Sequence, residues 1–327
     1  MKVGKVPESV LKRSVLKNIK TNREEVLLGA SVGEDCAAVQ LKEDEVFVLS
    51  TDPITGSTKD IGTLAINITA NDLASSGAEP IGVMLTVLLP DGCEESELKA
   101  MMKQMQENCE PLNMQILGGH TEVTRAVNQP VVSVTGVGKA KAGKLVSTAG
   151  ATQGMDVLVT KWIGLEGTSI IAKEKEEELL TRYPQKMIDK AKDFDQLLSV
   201  VKEGCVATSY GVAAMHDVTE GGIFGALWEL AEASNVGLEV ELLDIPVKQE
   251  TIEVCEFFGI NPYELISSGC MLMAAEDGNG LVAELKRNGI NATIIGKTTA
   301  SNDRVLWNGE EKRFLEPPKL DELYKVV

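Results

Sequence analysis

Hydrophobic and polar positions along this chain switch repeatedly between a period of two and a period near 3.6, and the switches predict a succession of strands and helices. Val46-Phe47-Val48-Leu49 reads as a strand, with Ser50-Thr51-Asp52 where it leaves its sheet. From Lys59 to Gly77 the apolar residues Ile61, Leu64, Ala65 and Ile68 recur at helical spacing, and Gly77 supplies a stop. Ile81 to Leu89 is an apolar run ended by Pro90-Asp91-Gly92, a strand and its turn. Glu95 to Cys109 is a helix whose apolar face carries Leu98, Met101, Met102 and Met105, a methionine stripe suited to core packing. Met114 to Leu117 is a strand that leads into Gly118-Gly119-His120-Thr121-Glu122, where paired glycines mark close backbone approach or positive φ.

The flanks follow the same logic. Glu8 to Lys20 is a short amphipathic helix, Cys36 to Val39 a strand, and Val131 to Val137 another. Gly138 to Lys144 has the spacing of a phosphate loop, but Leu145 stands where Ser or Thr must hold Mg²⁺, so the segment reads as hairpin and linker. The domain boundary is placed between about Lys141 and Gly154, giving domains 1–145 and 151–327. In the second half, strands are expected over Asp156–Thr160, Leu238–Leu243, Cys270–Ala275 and Ala292–Ile295. Helices are expected within Ile170–Gly204, after Gly222, over Gln249–Phe258 and over Leu281–Arg287.

Charge narrows the partners. The chain has 49 acidic and 32 basic residues in 327, a net charge of −17, so the electrostatic footprint of a nucleic-acid or anionic-membrane binder is missing. An anionic ligand would need a metal or local donors. Six cysteines without a C-x-x-C pair read as reduced thiols. With no apolar run long enough to span a bilayer, the expectation is a soluble, cytoplasmic protein.

Candidate chemistry begins with three acidic signals, Gly33-Glu34-Asp35, Thr51-Asp52 and Asn71-Asp72. Asp72 falls near a helix C-terminus, whose partial negative charge disfavours a carboxylate, and a cation would relieve it. Hard oxygen ligands with spare positions suit Mg²⁺ shared with phosphates. The only two histidines, His120 and His216, both stand beside carboxylates and close to paired glycines, and are candidates for catalysis. His120-Thr121-Glu122 lacks the P-C-x-x-C of zinc deaminases, which sets that chemistry aside. Gly221-Gly222 at a helix start offers N–H groups to an anion, or else is a glycine turn capped by Thr219.

Taken in order, Gly33-Glu34-Asp35, Thr51-Asp52, Asn71-Asp72-Leu73-Ala74, Gly77-Ala78-Glu79-Pro80, Gly118-Gly119-His120-Thr121 and His216-Asp217-Val218-Thr219-Glu220-Gly221-Gly222 resemble the aminoimidazole ribonucleotide synthetase (PurM) superfamily. Within it the likeness runs to the HypE hydrogenase maturation factors. The resemblance implies two α/β (α+β) domains and a homodimer in which N-terminal domains pair their strands, binding ATP and Mg²⁺. Carried over by motif, Asp35, Asp52 and Asp72 would be metal ligands, with Asp35, Asn71 and Asp72 also toward the triphosphate. Gly118, Gly119 and Thr121 would line the nucleotide, and Asp217, Gly221 and Gly222 would close the site from the second domain.

The implied activity is ATP-dependent phosphorylation or activation of an amide-type oxygen. Two departures shape that expectation. HypE works on a carbamoyl group carried by its own C-terminal cysteine, and this sequence ends in Val327, so the expected acceptor is a small molecule or a partner-borne group. His120 stands where HypE and thiamine-monophosphate kinase have an acidic residue. Selenium chemistry is not expected, because the first cysteine is Cys36. The alternatives are a thiamine-monophosphate-type kinase, whose Met-Asp-Ile-Ser-Asp form is not matched by His216-Asp217-Val218-Thr219-Glu220, and a non-catalytic ATP-binding regulator.

Overall fold

The computed structural model describes residues 4–5, 7–31, 37–55, 59–317 and 319–327. The chain divides into two compact units, Met1–Leu73 with Ala78–Leu145, and Ala74–Gly77 with Val146–Val327.

The first unit is built on a five-stranded sheet of β1 (Gly4–Lys5), β4 (Glu45–Ile54), β5 (Glu79–Pro90), β6 (Gln115–Thr124) and β7 (Val131–Lys141), in the order β1-β6-β5-β7-β4. β5 and β6 are parallel and the other pairs antiparallel. A separate ribbon joins β2 (Val26–Leu28) to β3 (Ala38–Val39). Helix α1 (Ile61–Ser75) and helix α2 (Glu95–Cys109) supply the core, α2 through the predicted stripe of Leu98, Met101, Met102, Met105 and Cys109. α1 is buried on more than one side: Ile66 and Leu73 are fully buried along with Ile61, Leu64 and Ala65. The two helices approach so closely that a Cβ at Gly62 would lie 2.6 Å from the Met101 carbonyl.

Three sequence expectations need correction. Gly138 to Lys141 is strand and not linker, because β7 runs on to Lys141 opposite Glu45. Its glycines face α1: a Cβ at Gly136 would lie 2.4 Å from Thr69 Cγ2, so the strand needs glycine to let the helix down. Gly118 to Glu122 is likewise continuous strand beside β5. The Glu8–Lys20 helix is irregular, α-helical over Glu8–Val10, π-helical over Leu11–Val15 and 3₁₀ over Leu16–Asn18.

The second unit is a seven-stranded sheet of β8 (Asp156–Thr160), β9 (Ala214–Asp217), β10 (Gly237–Glu241), β11 (Met271–Ala275), β12 (Ala292–Thr299), β13 (Arg304–Asn308) and β14 (Glu311–Phe314), in the order β14-β13-β10-β12-β8-β11-β9. Its helices include α3 (Leu165–Glu174), α4 (Val201–Tyr210), α5 (Gly222–Ser234), α6 (Gln249–Phe258) and α7 (Gly278–Arg287). Alternation along β8 and β11 feeds two cores. Val157, Val159, Leu272 and Ala274 pack with α5, while Leu158, Met271 and Met273 pack with α4 and α7. The β13–β14 hairpin carries no strong turn signal beyond Asn308-Gly309, and the sequence reading passed over it.

One buried ion cluster ties the first unit together. Arg23 pairs with Glu25 at 2.7 Å and Glu79 at 2.6 Å, Lys139 pairs with Glu25, and Arg23 also donates to the Asn113 carbonyl at 3.0 Å. The Arg23 guanidinium holds the Glu25 carboxyl well below the usual carboxylate range, against the opposing effect of burial. A depressed carboxylate contributes stability that is present above its unfolded pKa, about 4 to 4.5, and that is lost as pH falls below it. Arg23→Leu should therefore lower the stability measured by urea unfolding at pH 7 by about 3–5 kcal/mol, since it strands Glu25. The difference from wild type should shrink as the titration is repeated toward pH 3; a difference independent of pH would show that Glu25 is not the group responsible.

Candidate functional site

Ser50 and Asp52 alternate onto the same face of β4, the face toward α1, because Ser50 stands opposite Gly136 and Asp52 opposite the buried Val134. Asp72 comes down from the last turn of α1. The Ser50 hydroxyl is the meeting point: Oγ makes a short hydrogen bond to Asp72 Oδ2 and lies 3.2 Å from Asp52 Oδ2. A hydroxyl has one proton, so it donates to one of the two carboxylates at a time. No basic residue lies in the last turn of α1, and the helix dipole adds to the negative potential there. Two carboxylates and a hydroxyl at one point are hard oxygen donors, a set that fits Mg²⁺ completed by water or phosphate. Among the described residues no third His, Cys, Asp or Glu completes a metal-binding group. Asp35 lies outside the described residues, as do Gly33, Glu34 and Cys36. Asn71, adjacent to Asp72, is buried.

The second set of predicted residues sits on β6. Gly119 has φ of 144°, and a Cβ there would fall 1.9 Å from the Leu85 carbonyl oxygen, so only glycine fits. Thr121 is buried, and His120 is exposed on the opposite face with Nε2 3.2 Å from Glu122 Oε2. Gly118, Gly119, His120 and Thr121 line a cavity of about 340 Å³ that has Leu11 and Leu16 in its apolar wall. Asp52, Val134, Leu85 and Gly119 form one cross-strand row, so the acid pair and the glycine pair are level along the strands but three strands apart. At the usual spacing that is roughly 14 Å. Within one chain the first unit therefore holds two clusters.

In the second unit β9 delivers His216 and Asp217 to the head of α5. His216 Nε2 is 2.7 Å from Glu229 Oε2 on α5, and Nδ1 is 3.3 Å from Thr148 Oγ1, so the ring ties three elements together. Asp217 is buried at the end of the strand. Gly221 and Gly222 have φ of 83° and 61°, and a Cβ at Gly222 would lie 2.6 Å from the Tyr263 carbonyl. Thr219 contributes its carbonyl, which accepts from Gly222 N–H at 3.1 Å, and not a capping hydroxyl. The Gly221 N–H donates at 2.7 Å to Asp321 Oδ2, a partner a hundred residues away that no local pattern signals. Ser50 was more legible, two residues from Asp52 and so on the same strand face. Burial pushes the thiols of Cys93, Cys109, Cys255 and Cys270 up to about 12, which makes them poor nucleophiles. No helix among the described residues is long and apolar enough to cross a membrane.

These features coincide with a known family. Residues 33–140 match the N-terminal domain of AIR synthase related protein, and residues 152–308 match its C-terminal domain. A protein of Methanocaldococcus jannaschii named for hydrogenase expression and formation is 28% identical over 312 residues, covering 93% of this chain and 90% of its own. Carbamoyl dehydratase HypE of Cupriavidus necator is 29% identical over 279 residues, covering 81% and 76%. Among solved structures, Escherichia coli HypE superposes with a TM-score of 0.82 at 23% identity over 98% of this chain and 100% of its own. HypE in complex with ATP gives 0.79 at 20% identity over 99% and 97%. Thiamine-monophosphate kinase from Stenotrophomonas maltophilia gives 0.75 at 19% identity over 94% and 98%, so the fold is common to both reaction types. With both AIR synthase-related domains present in order, this chain is a HypE-like member of the AIR synthase-related (PurM) superfamily.

Proposed function

We propose that the protein is an ATP-binding, Mg²⁺-dependent enzyme that phosphorylates or activates an amide-type oxygen on a small molecule or a partner-borne group. The observation that carries this reading is the single Ser50 proton held between Asp52 and Asp72 at a helix end without a base. Asp52, Asp72 and Asp35 are the proposed metal ligands, with Ser50 orienting the first two, and Asn71 contributes beside Asp72. Mg²⁺ bound there would offset phosphate charge and polarise the transferring group. Gly118, Gly119 and Thr121 are proposed to let the nucleotide approach β6 backbone, with the apolar wall of the adjoining cavity taking its base. The HypE solved with ATP supports the choice of nucleotide. Of the histidines, His120 is exposed beside Glu122 and is the proposed proton carrier, whereas His216 is held by Glu229 and Thr148. Asp217, Gly221 and Gly222 are proposed as the second unit's ligand contacts.

A homodimer belongs to the same proposal. The sheet of the first unit turns Phe47 and Leu49 outward, 49% and 65% exposed, on the face away from α1. Pairing that face with a second copy would bury both. It would also let β4 of one copy and β6 of the other border one site, a way for clusters three strands apart to serve one ligand.

Two measurements test these readings. Calorimetric titration with ATP should give saturable binding that requires Mg²⁺ and that Asp52→Ala and Asp72→Ala each remove, with ATP turnover falling at least about a hundredfold in both. Absence of binding with and without Mg²⁺ would overturn the proposal, and binding without turnover on any amide acceptor would leave a nucleotide-binding regulator in its place. In sedimentation at micromolar concentration the wild type should run as a dimer and the Phe47→Asp, Leu49→Asp double variant as a folded monomer. A monomeric wild type would sink the dimer.

A further inference from the structure

The segment after β14 returns to the second unit and seats itself on acidic ground. Asp321 is 1% exposed, and its two oxygens accept N–H bonds from Gly221 at 2.7 Å and from Leu323 at 2.8 Å. Glu322 N–H reaches the Glu264 carbonyl at 3.3 Å, and the Glu322 carboxylate accepts from Asn261 N–H at 3.3 Å. The segment is thus held by a handful of polar contacts. Close by, in the first turn of α3, Glu166 is buried and its Oε2 has no hydrogen-bond partner. An unpartnered carboxylate oxygen away from water is costly when charged.

We propose that Asp321–Lys325 is a pH-responsive latch, closed over Glu166 with the Gly221 N–H in its grasp and opened as the medium becomes more alkaline. The inference goes beyond the nucleotide reading and does not rest on it. Every group that faces the seat is acidic or neutral: Glu166 from α3, Glu220 from the turn before α5, and Asp321 and Tyr324 from the latch itself. The nearby bases are engaged elsewhere, Lys325 with Glu322 and Lys319 with Glu316. Burial pushes Glu166 up to about 7, with Asp321 and Glu220 adding to the rise and Ser268 opposing it. Burial also raises Asp321, against the N–H bonds of Leu323 and Gly221.

The sign follows from proton count. Closed, the seat keeps a proton on Glu166 up to about pH 7; open, water returns Glu166 toward its ordinary value near 4.3. The closed form binds more protons between these limits, so closure is tightest in acid and weakens by as much as tenfold per pH unit until it levels off above about pH 7. Opening frees the Gly221 N–H.

Hydrogen exchange read by mass spectrometry on the full chain, at pH 5.5, 6.5, 7.5 and 8.5 and corrected for intrinsic exchange, tests the latch. Protection of residues 320–327 and of the peptide spanning Gly221 should fall at least tenfold between pH 5.5 and 7.5, while β8 and β11 stay constant. Glu166→Gln should hold protection level across the series, and Asp321→Ala should leave the same peptides unprotected at every pH with the unit otherwise folded. Flat protection in the wild type, or an unchanged slope in Glu166→Gln, would overturn the proposal. A loss of protection spread over β8 and β11 would overturn it as well, because the titration would then act on the whole unit.

Discussion

The closeness of α1 to a strand floored with glycine is the constraint from which the acid pair follows. Gly136 stands opposite Ser50, and the space its side chain would need is filled by Thr69 of α1. Thr69 is three residues before Asp72, nearly one turn, so whatever sets the height of Thr69 sets the height of Asp72. The fully buried Ile66 and Leu73 on either side keep the helix from lifting. A larger residue at 136 would raise α1 by about the width of a methyl group and pull Asp72 away from the hydroxyl it shares with Asp52. Packing and chemistry are here the same fact.

The parts of this arrangement that are local in sequence were legible, and those set by tertiary contact were not. Asp52 at a strand end and Asp72 at a helix end could be read from period and punctuation, and their positions on β4 and α1 follow those signals. The paired glycines 118 and 119 were read correctly as a place of close backbone approach, but not as the middle of a strand, since glycine weakens a strand unless a neighbour demands it. Leu85 makes that demand through its carbonyl. The same holds for Gly136 and Gly138 under α1, which is why β7 runs four residues past its expected end. That the acid pair and the glycine pair lie at different strands of the row could not be read at all, because strand order is not a property of any one segment.

Acidic charge is handled differently in the two units. In the first, Glu25 and Glu79 are neutralised by Arg23 and Lys139, so that cluster asks for nothing further. The Asp52–Asp72 pair differs in having a hydroxyl between the carboxylates and no base in the helix turn that carries Asp72. With a net charge of −17, an anionic substrate is repelled at long range, and a cation held at that pair would be its local invitation. The same chain thus contains one acidic cluster built for stability and one that suits a hard cation.

In the second unit the relevant currency is N–H donors. At the head of α5 the Gly222 N–H is committed to the Thr219 carbonyl within the turn, and the Gly221 N–H to Asp321. The first of these is fixed by the left-handed backbone of both glycines and cannot be recruited without rebuilding the turn. The second is held by a side chain from a separate segment and can be exchanged without moving α5. If an anion is to use the dipole at this helix start, Gly221 is the donor it gains, and it gains it in competition with a carboxylate that already satisfies the same requirement. A phosphate would win that exchange only where its extra charge and extra oxygens meet further donors, which makes the residues around Gly221, and not the glycine pair alone, the determinant of what binds.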